Sequence, residues 1–217
     1  MSTPITAMAK EYAVLSAGGG GITVAGADMT PGMFSGIAWS DISFVDCVFG
    51  GDGNVALAAM SGCKFMNCRF TGPDHDFGVM TAVKFMDCSS QGRSVFCGRD
   101  GSSDVLFQNC SFNGGSAAPQ SFRGIGCTGE VVFRNCTGSG EVLVGGTAMS
   151  LEGCRFSDMS FAIGRRAGRG APLAATLVID GCQGSGLWRM VEGRMKTSHI
   201  RNSRFDRIVN DGSECAA

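Results

Sequence analysis

Cys63-Lys64-Phe65-Met66-Asn67-Cys68 states the rule by which the rest of the chain is written: apolar residue, any residue, Phe, any residue, Asn or Asp, Cys. Val83–Cys88 (VKFMDC), Val105–Cys110 (VLFQNC) and Val131–Cys136 (VVFRNC) repeat it, and Ile42–Cys47 (ISFVDC) is an earlier copy. Looser copies are Met149–Cys154, Leu177–Cys182 and Ser198–Ser203. The eight copies end at positions 47, 68, 88, 110, 136, 154, 182 and 203, so successive steps are 21, 20, 22, 26, 18, 28 and 21 residues. A period near 20 is the mark of a solenoid, in which each repeat buries its apolar side only against its neighbours.

Within the phrase the alternation is that of a strand. Cys63 and Phe65 can point inward, and so can Cys68 and Phe70 once the alternation is broken between them. Asn67 can make that break, because Asn, Asp and Gly tolerate the left-handed backbone conformation and turn one strand sharply into the next. The step is too short for a helical crossover. The expected fold is therefore all-β: a right-handed parallel β-helix of about eight coils, each with three strands.

VLFQNCSFNGG (105–115) and VVFRNCTGSG (131–140) resemble coils of the pectin-lyase-like right-handed β-helix proteins. CKFMN-CRFTG (63–72) also resembles the five-residue frame of the pentapeptide-repeat proteins, a near neighbour, but the uneven steps favour the first family. The resemblance covers residues 20–210. It speaks to fold, because this architecture hosts many unrelated roles.

The chain of 217 residues fits one solenoid domain with no linker. Residues 1–21 are read as an amino-terminal cap, helical over 4–16, with a flexible joint at Gly18–Gly21. Residues 22–210 form the β-helix, beginning with an irregular coil over 22–40, and residues 211–217 form a frayed tail. The Gly18–Gly21 run lacks the Lys-Ser/Thr of a phosphate loop.

Most of the 11 cysteines close the repeated phrase, which places them in an inward ladder of free thiols. Their odd number, and the lack of a cleavable apolar leader after Met1, point to a reducing cytoplasm, with export without a cleaved signal peptide as the alternative. No CxxC pair suggests a structural metal, no cofactor motif is present, and no run of 18 apolar residues could span a membrane.

Net charge is −1 but uneven: residues 1–152 hold 8 Lys/Arg against 13 Asp/Glu (−5), and residues 153–217 hold 10 against 6 (+4). A basic carboxyl-terminal third suits an anionic partner. The densest basic element is the stretch Gly164–Ala174, with Arg165, Arg166 and Arg169, whose forked guanidiniums can reach phosphates or carboxylates. Duplex nucleic acid is not expected at this overall charge, nor single strands where Phe faces inward.

On the outward positions, the third strands show Val48, Arg69, Ser89, Ser111, Thr137, Arg155, Gln183 and Arg204, a solvated face. The first strands show Ala56, Phe96, Leu143, Ala162 and Trp188, an apolar stripe that implies a covering loop, a protein partner or a second copy. The family resemblance implies the alternative, a polysaccharide-active hydrolase or lyase. Its residues would be Asp74 and Asp76 of Asp74-His75-Asp76, read as a polar turn, with Arg194 and Lys196. The last two resemble the Arg-x-Lys element of polygalacturonase-like enzymes, but the acidic pairs and Gly-His-Gly that accompany it there are missing. His199 reads as a surface histidine. The reading leans away from catalysis, toward a scaffold or interaction protein of effector or phage-structural type. It would work through Phe96, Leu143, Trp188 and the arginine stretch.

Overall fold

The computed structural model describes residues 13–29, 34–50, 55–71, 74–92, 95–98, 101–114, 120–139, 141–157, 160–161, 175–190, 195–210 and 213–215. These residues form a parallel β-solenoid. The second strands stack in a ladder: Thr23–Ala25, Ser43–Val45, Lys64–Met66, Lys84–Met86, Val105–Gln108, Gln120–Arg134, Glu141–Glu152, Ala175–Asp180 and Met195–Arg201, each parallel to the next. That is one rung more than the phrase has copies. The extra rung is Ile22–Ala27, where Gly26 stands at the Asn position and Ala27 at the Cys position, so the coil expected to be irregular is regular there.

The register puts each phrase directly over the last: Phe44, Phe65, Phe85, Phe107 and Phe133 form one inward row. Their rings stack 4.9, 4.7, 4.8 and 4.9 Å apart with interplanar angles of 15°, 9°, 7° and 13°. This ring spacing is that of neighbouring strands, so backbone hydrogen bonding and aromatic stacking are satisfied by one repeat distance. Leu151 and Ile179 continue the row, buried, while Ile200 on the terminal rung is 43% exposed.

Left-handed corners close the phrase on every rung. Asp46, Asn67, Asp87, Asn109, Asn135 and Asn202 have φ between 51° and 55°, with Gly26, Gly153 and Gly181 at 62–63°. Across this corner Asn67 Nδ2 donates to Asp46 Oδ1 (2.6 Å) and Asn109 Nδ2 to Asp87 Oδ1 (2.9 Å), so alternating amide and carboxylate bind one rung to the next. After the corner the third strands stack from Asp28–Met29 through Arg69–Phe70 and Thr137–Ser139 to Arg204–Asn210. In this ladder Phe49 stacks on Phe70 at 5.0 Å.

Three strands per coil is too few for the amino-terminal part. A further parallel sheet, Ala38–Ser40, Ala59–Ser61 and Val79–Thr81, sits between first and second strands. It exists because a second left-handed corner lies five residues before the first: Gly21 and Gly26, Asp41 and Asp46, Gly62 and Asn67, Ala82 and Asp87, Asp104 and Asn109. A five-residue geometry thus describes these rungs. Beyond them the first and second faces merge into the long strands Gln120–Arg134 and Glu141–Glu152.

Both ends differ from expectation. Residues 13–16 are helical, and the glycines after them are a cap: Gly19 N–H bonds Val14 O (2.9 Å) and Gly18 N–H bonds Leu15 O (3.1 Å), with Gly18 at φ 78°. This is the Schellman arrangement, which needs the left-handed residue that Gly supplies. Leu15 is buried, and Trp39 Nε1 donates to its carbonyl at 3.1 Å, tying the cap to the solenoid. At the far end Ser213–Cys215 runs antiparallel along Arg204–Asn210, so part of the tail expected to fray adds a strand to that edge.

Candidate functional site

The cysteines form an inward row of their own. Eight described cysteines are free and buried, and seven of them (Cys47, Cys68, Cys88, Cys110, Cys136, Cys154 and Cys182) close consecutive phrases. Each of these seven thiols donates to two carbonyls, that of the residue two before it and that of the residue in the Phe row of a preceding rung. For Cys110 these are Gln108 O (3.3 Å) and Phe85 O (3.5 Å), and for Cys136 they are Arg134 O and Phe107 O (both 3.4 Å). The corner turns a carbonyl toward the core, where a small apolar residue with a soft donor fits better than Val or Ser. On the terminal rung, nearer solvent, Ser203 takes over, its hydroxyl donating to Arg201 O at 2.8 Å. The neighbouring Cys110 thiol and burial push Cys88 up to about 12, and Cys136 and burial do the same to Cys110. Cys88 and Cys110 therefore stay protonated and unreactive near neutral pH, whereas hydrogen bonds from Cys136 and then Cys182 lower Cys154 in the same row. What makes the row structural is its burial and its repeated hydrogen bonds to carbonyls.

Asp74-His75-Asp76 is a strand, not a polar turn: it pairs with Val95–Cys97 on one side and, through His75 and Asp76, with Val55–Ala56 on the other. The alternation sends His75 into the core, fully buried against Phe70 (edge-on, 5.4 Å) and Phe77 (stacked, 6.1 Å). Burial lowers its pKa to about 4, so it is neutral near pH 7. Asp76 Oδ1 accepts the Gly78 N–H at 2.9 Å and closes the corner, where Gly78 (φ 65°) lies so near the Ala58 backbone that a Cβ would collide with it. Lys196 lies on Met195–Arg201, five rungs along from the coil of Asp74 and Asp76, or about 24 Å at the strand spacing. The structure therefore does not assemble those three into one site, and Arg194 lies outside the described residues.

Nor do the expected apolar residues share one row. Phe96 is in register with buried His75, Leu143 with Arg123, Cys97 and Asp76, and Trp188 with Ile208 in the third-strand ladder. The strand of that coil begins at Asp74 and not at Phe77, which sets this register. Arg165, Arg166 and Arg169 lie outside the described residues. His199 is exposed, as read.

Three outward features emerge instead. The first is an apolar band on the second strands. Val45, Met66 and Met86 follow one another in one row, and Leu106, Val132 and Val178 lie in the adjacent row, all partly exposed. The band runs obliquely across the rungs, with exposed Lys64 and Lys84 on one flank and Gln108 and Arg134 on the other. Its signal lies in the two residues that flank each Phe.

The second feature is a charge ladder, Arg134, Glu152, Asp180 and Arg201, on four successive rungs beside a cavity of about 460 Å³. Arg134 Nε donates to Glu152 Oε2 at 2.7 Å, and Arg201 Nε to Asp180 Oδ2 at 2.9 Å. Asn202 Nδ2 donates to Asp180 Oδ1 at 3.0 Å. The Arg134 hydrogen bond holds Glu152 below the usual carboxylate range. Asp180 is lowered by Asn202 first and then by Arg201. Two carboxylates in register could in principle divide acid and base roles, but both are held ionised, and a general acid must keep its proton.

The third is a groove of about 500 Å³ on the third strands, lined by Arg155, Ser157, Gln183, Ser185, Arg204 and Asp206 among others. Among the described residues there is no cluster of His, Cys, Asp and Glu able to hold a metal ion, and no helix long and apolar enough to cross a membrane. No family model matches the chain, and no curated protein matches it either. Among the described residues the chain displays a parallel β-solenoid with buried thiols and three outward surfaces.

Proposed function

We propose that the protein is a non-catalytic scaffold that binds another protein through an outward face of its solenoid. The observation that carries this is the oblique band of Val45, Met66, Met86, Leu106, Val132 and Val178, partly exposed and bordered by charges. Adjacent rungs keep Val45, Met66 and Met86, and likewise Leu106 and Val132, a strand spacing apart, with buried Ser150 between Val132 and Val178, and methionine adapts its shape to a partner at little cost. Apolar centres with polar rims, enriched in Met and Arg, are the composition of protein interfaces. The charge ladder supports binding over proton transfer, because each carboxylate in it is already engaged by an arginine. In this reading the basic stretch with Arg165, Arg166 and Arg169 is a second contact, and Phe96, Leu143 and Trp188 remain candidates for the same partner.

The test is light scattering on the wild type and on a Met86→Asp, Val132→Asp double variant, with photo-crosslinking from position 86 in producing cells. Both positions face outward, so the variant should unfold at a midpoint close to wild type. A wild-type oligomer that the variant reduces to a folded monomer identifies a second copy as the partner. A monomer that yields a discrete adduct from position 86 identifies a foreign protein. A monomer with no adduct from position 86 or 132 contradicts the proposal.

A further inference from the structure

The third-strand face carries an outward row in which every member from Arg69 onward can donate a hydrogen bond: Arg69, Ser89, Ser111, Thr137, Arg155, Gln183 and Arg204, in register rung by rung. No carboxylate interrupts it. A parallel row two residues on holds Asn113, Ser139, Ser157 and Ser185. Where the two rows deepen into the groove, Arg155 and Arg204 stand on either side of Gln183, with Ser157 and Ser185 alongside.

These arginines differ from those of the charge ladder. Arg134 and Arg201 each meet a carboxylate, whereas among the described residues Arg155 and Arg204, both exposed, form no ion pair. The carboxylate that lines the groove, Asp206, is turned to a backbone group, its Oδ2 accepting the Gly186 N–H at 3.2 Å. Two rungs separate the arginines' backbones by about 10 Å, a gap that two long stems can close over the Gln183 between them.

We infer that this groove binds a tetrahedral oxyanion, a phosphoryl or sulfuryl group, between Arg155 and Arg204. Donor supply sets the class. Two guanidinium forks, a primary amide and two hydroxyls exceed the roughly four lone-pair positions of a planar carboxylate. A tetrahedral group offers at least three strong acceptor oxygens, pointing in different directions. Arginine forks suit such oxygens in bidentate geometry. The inference goes beyond the apolar band and does not depend on it: the groove lies on another sheet, and either surface can fail its test while the other passes.

Binding to the folded state alone raises the unfolding midpoint. The experiment is a thermal melt and a calorimetric titration with inorganic phosphate, inorganic sulfate and phenyl phosphate, against chloride at matched ionic strength. The proteins are wild type, Arg155→Gln with Arg204→Gln, and Arg69→Gln as a control from the same row. Wild type and Arg69→Gln should gain midpoint with the tetrahedral anions over chloride. Each groove substitution should weaken binding about tenfold, so that the double variant shows no gain. Phenyl phosphate binding as well as the free ion would indicate an ester on a larger ligand, and the free ion alone would indicate a site for the ion itself. A wild type that responds equally to chloride, or a double variant that keeps the gain, overturns the inference.

Discussion

His75 shows how a single residue can be placed rightly by alternation and wrongly by its neighbours. Two flanking aspartates make it look like part of a polar turn, yet period two sends it into the core. Its pKa, about 4 in the fold, lies below the ordinary histidine value, so between these two pH values the unfolded chain binds more protons than the native one. Stability from this residue is therefore complete near neutral pH and lost as pH falls from about 6.5 to about 4, by on the order of 3 kcal/mol. His75→Leu, of similar bulk, should remove that part of the pH dependence. The urea midpoint of the variant should rise relative to wild type as pH falls from 7 to 4, leaving the variant the more stable at the acid end. A difference that does not change with pH would mean that His75 is not buried as a neutral ring.

Among the elements, the corners after each phrase were legible and the corners before it were not. Asn67, Asp87, Asn109 and Asn135 stand at the break in alternation, and residues that tolerate the left-handed region announce it. The earlier corner is made by Gly21, Asp41, Gly62, Ala82 and Asp104, mostly residues that tolerate the left-handed region, but Ala82 breaks the set and no constant Cys follows it, so the short sheet that it creates is less plainly marked. The Gly18–Gly21 run was read as a joint because glycine permits both freedom and a left-handed cap, and only the helix ahead of it decides between them. The corner is open to direct test at Asn109 (φ 53°), whose amide also bridges to Asp87. Asn109→Val should lower stability by about 1–2 kcal/mol or more, since a branched residue resists this conformation. Asn109→Gly should cost less than Val in the same thermal melt. Equal losses would assign the cost to the lost hydrogen bond instead of the backbone.

At the scale of the whole molecule, the sequence told far more about the inside than about the outside. The inside repeats: one Phe row and one Cys row run through successive rungs, and each coil is buried only by its neighbours. The outward surfaces depend on register and strand starts. A shift of the start from Phe77 to Asp74 moved Phe96 into the row of His75, while the Met66–Met86 band and the Arg155–Arg204 groove were left unnoticed. The third-strand row is the exception, read correctly because every third strand follows a legible corner. The account rests above all on the continuity of the thiol row, and its most direct test lies at the middle of the rod. Cys110 is buried between Cys88 and Cys136 in that row, with both of its hydrogen bonds made to carbonyls. Cys110→Asp would bring a carboxylate against acceptors that cannot pair with it, at a cost of several kcal/mol. The thermal unfolding midpoint of Cys110→Asp should therefore collapse, with loss of the native β signal near room temperature, while Cys110→Ala stays folded. A Cys110→Asp protein that melts with wild type would contradict the inward thiol row and, with it, the stacking of the coils.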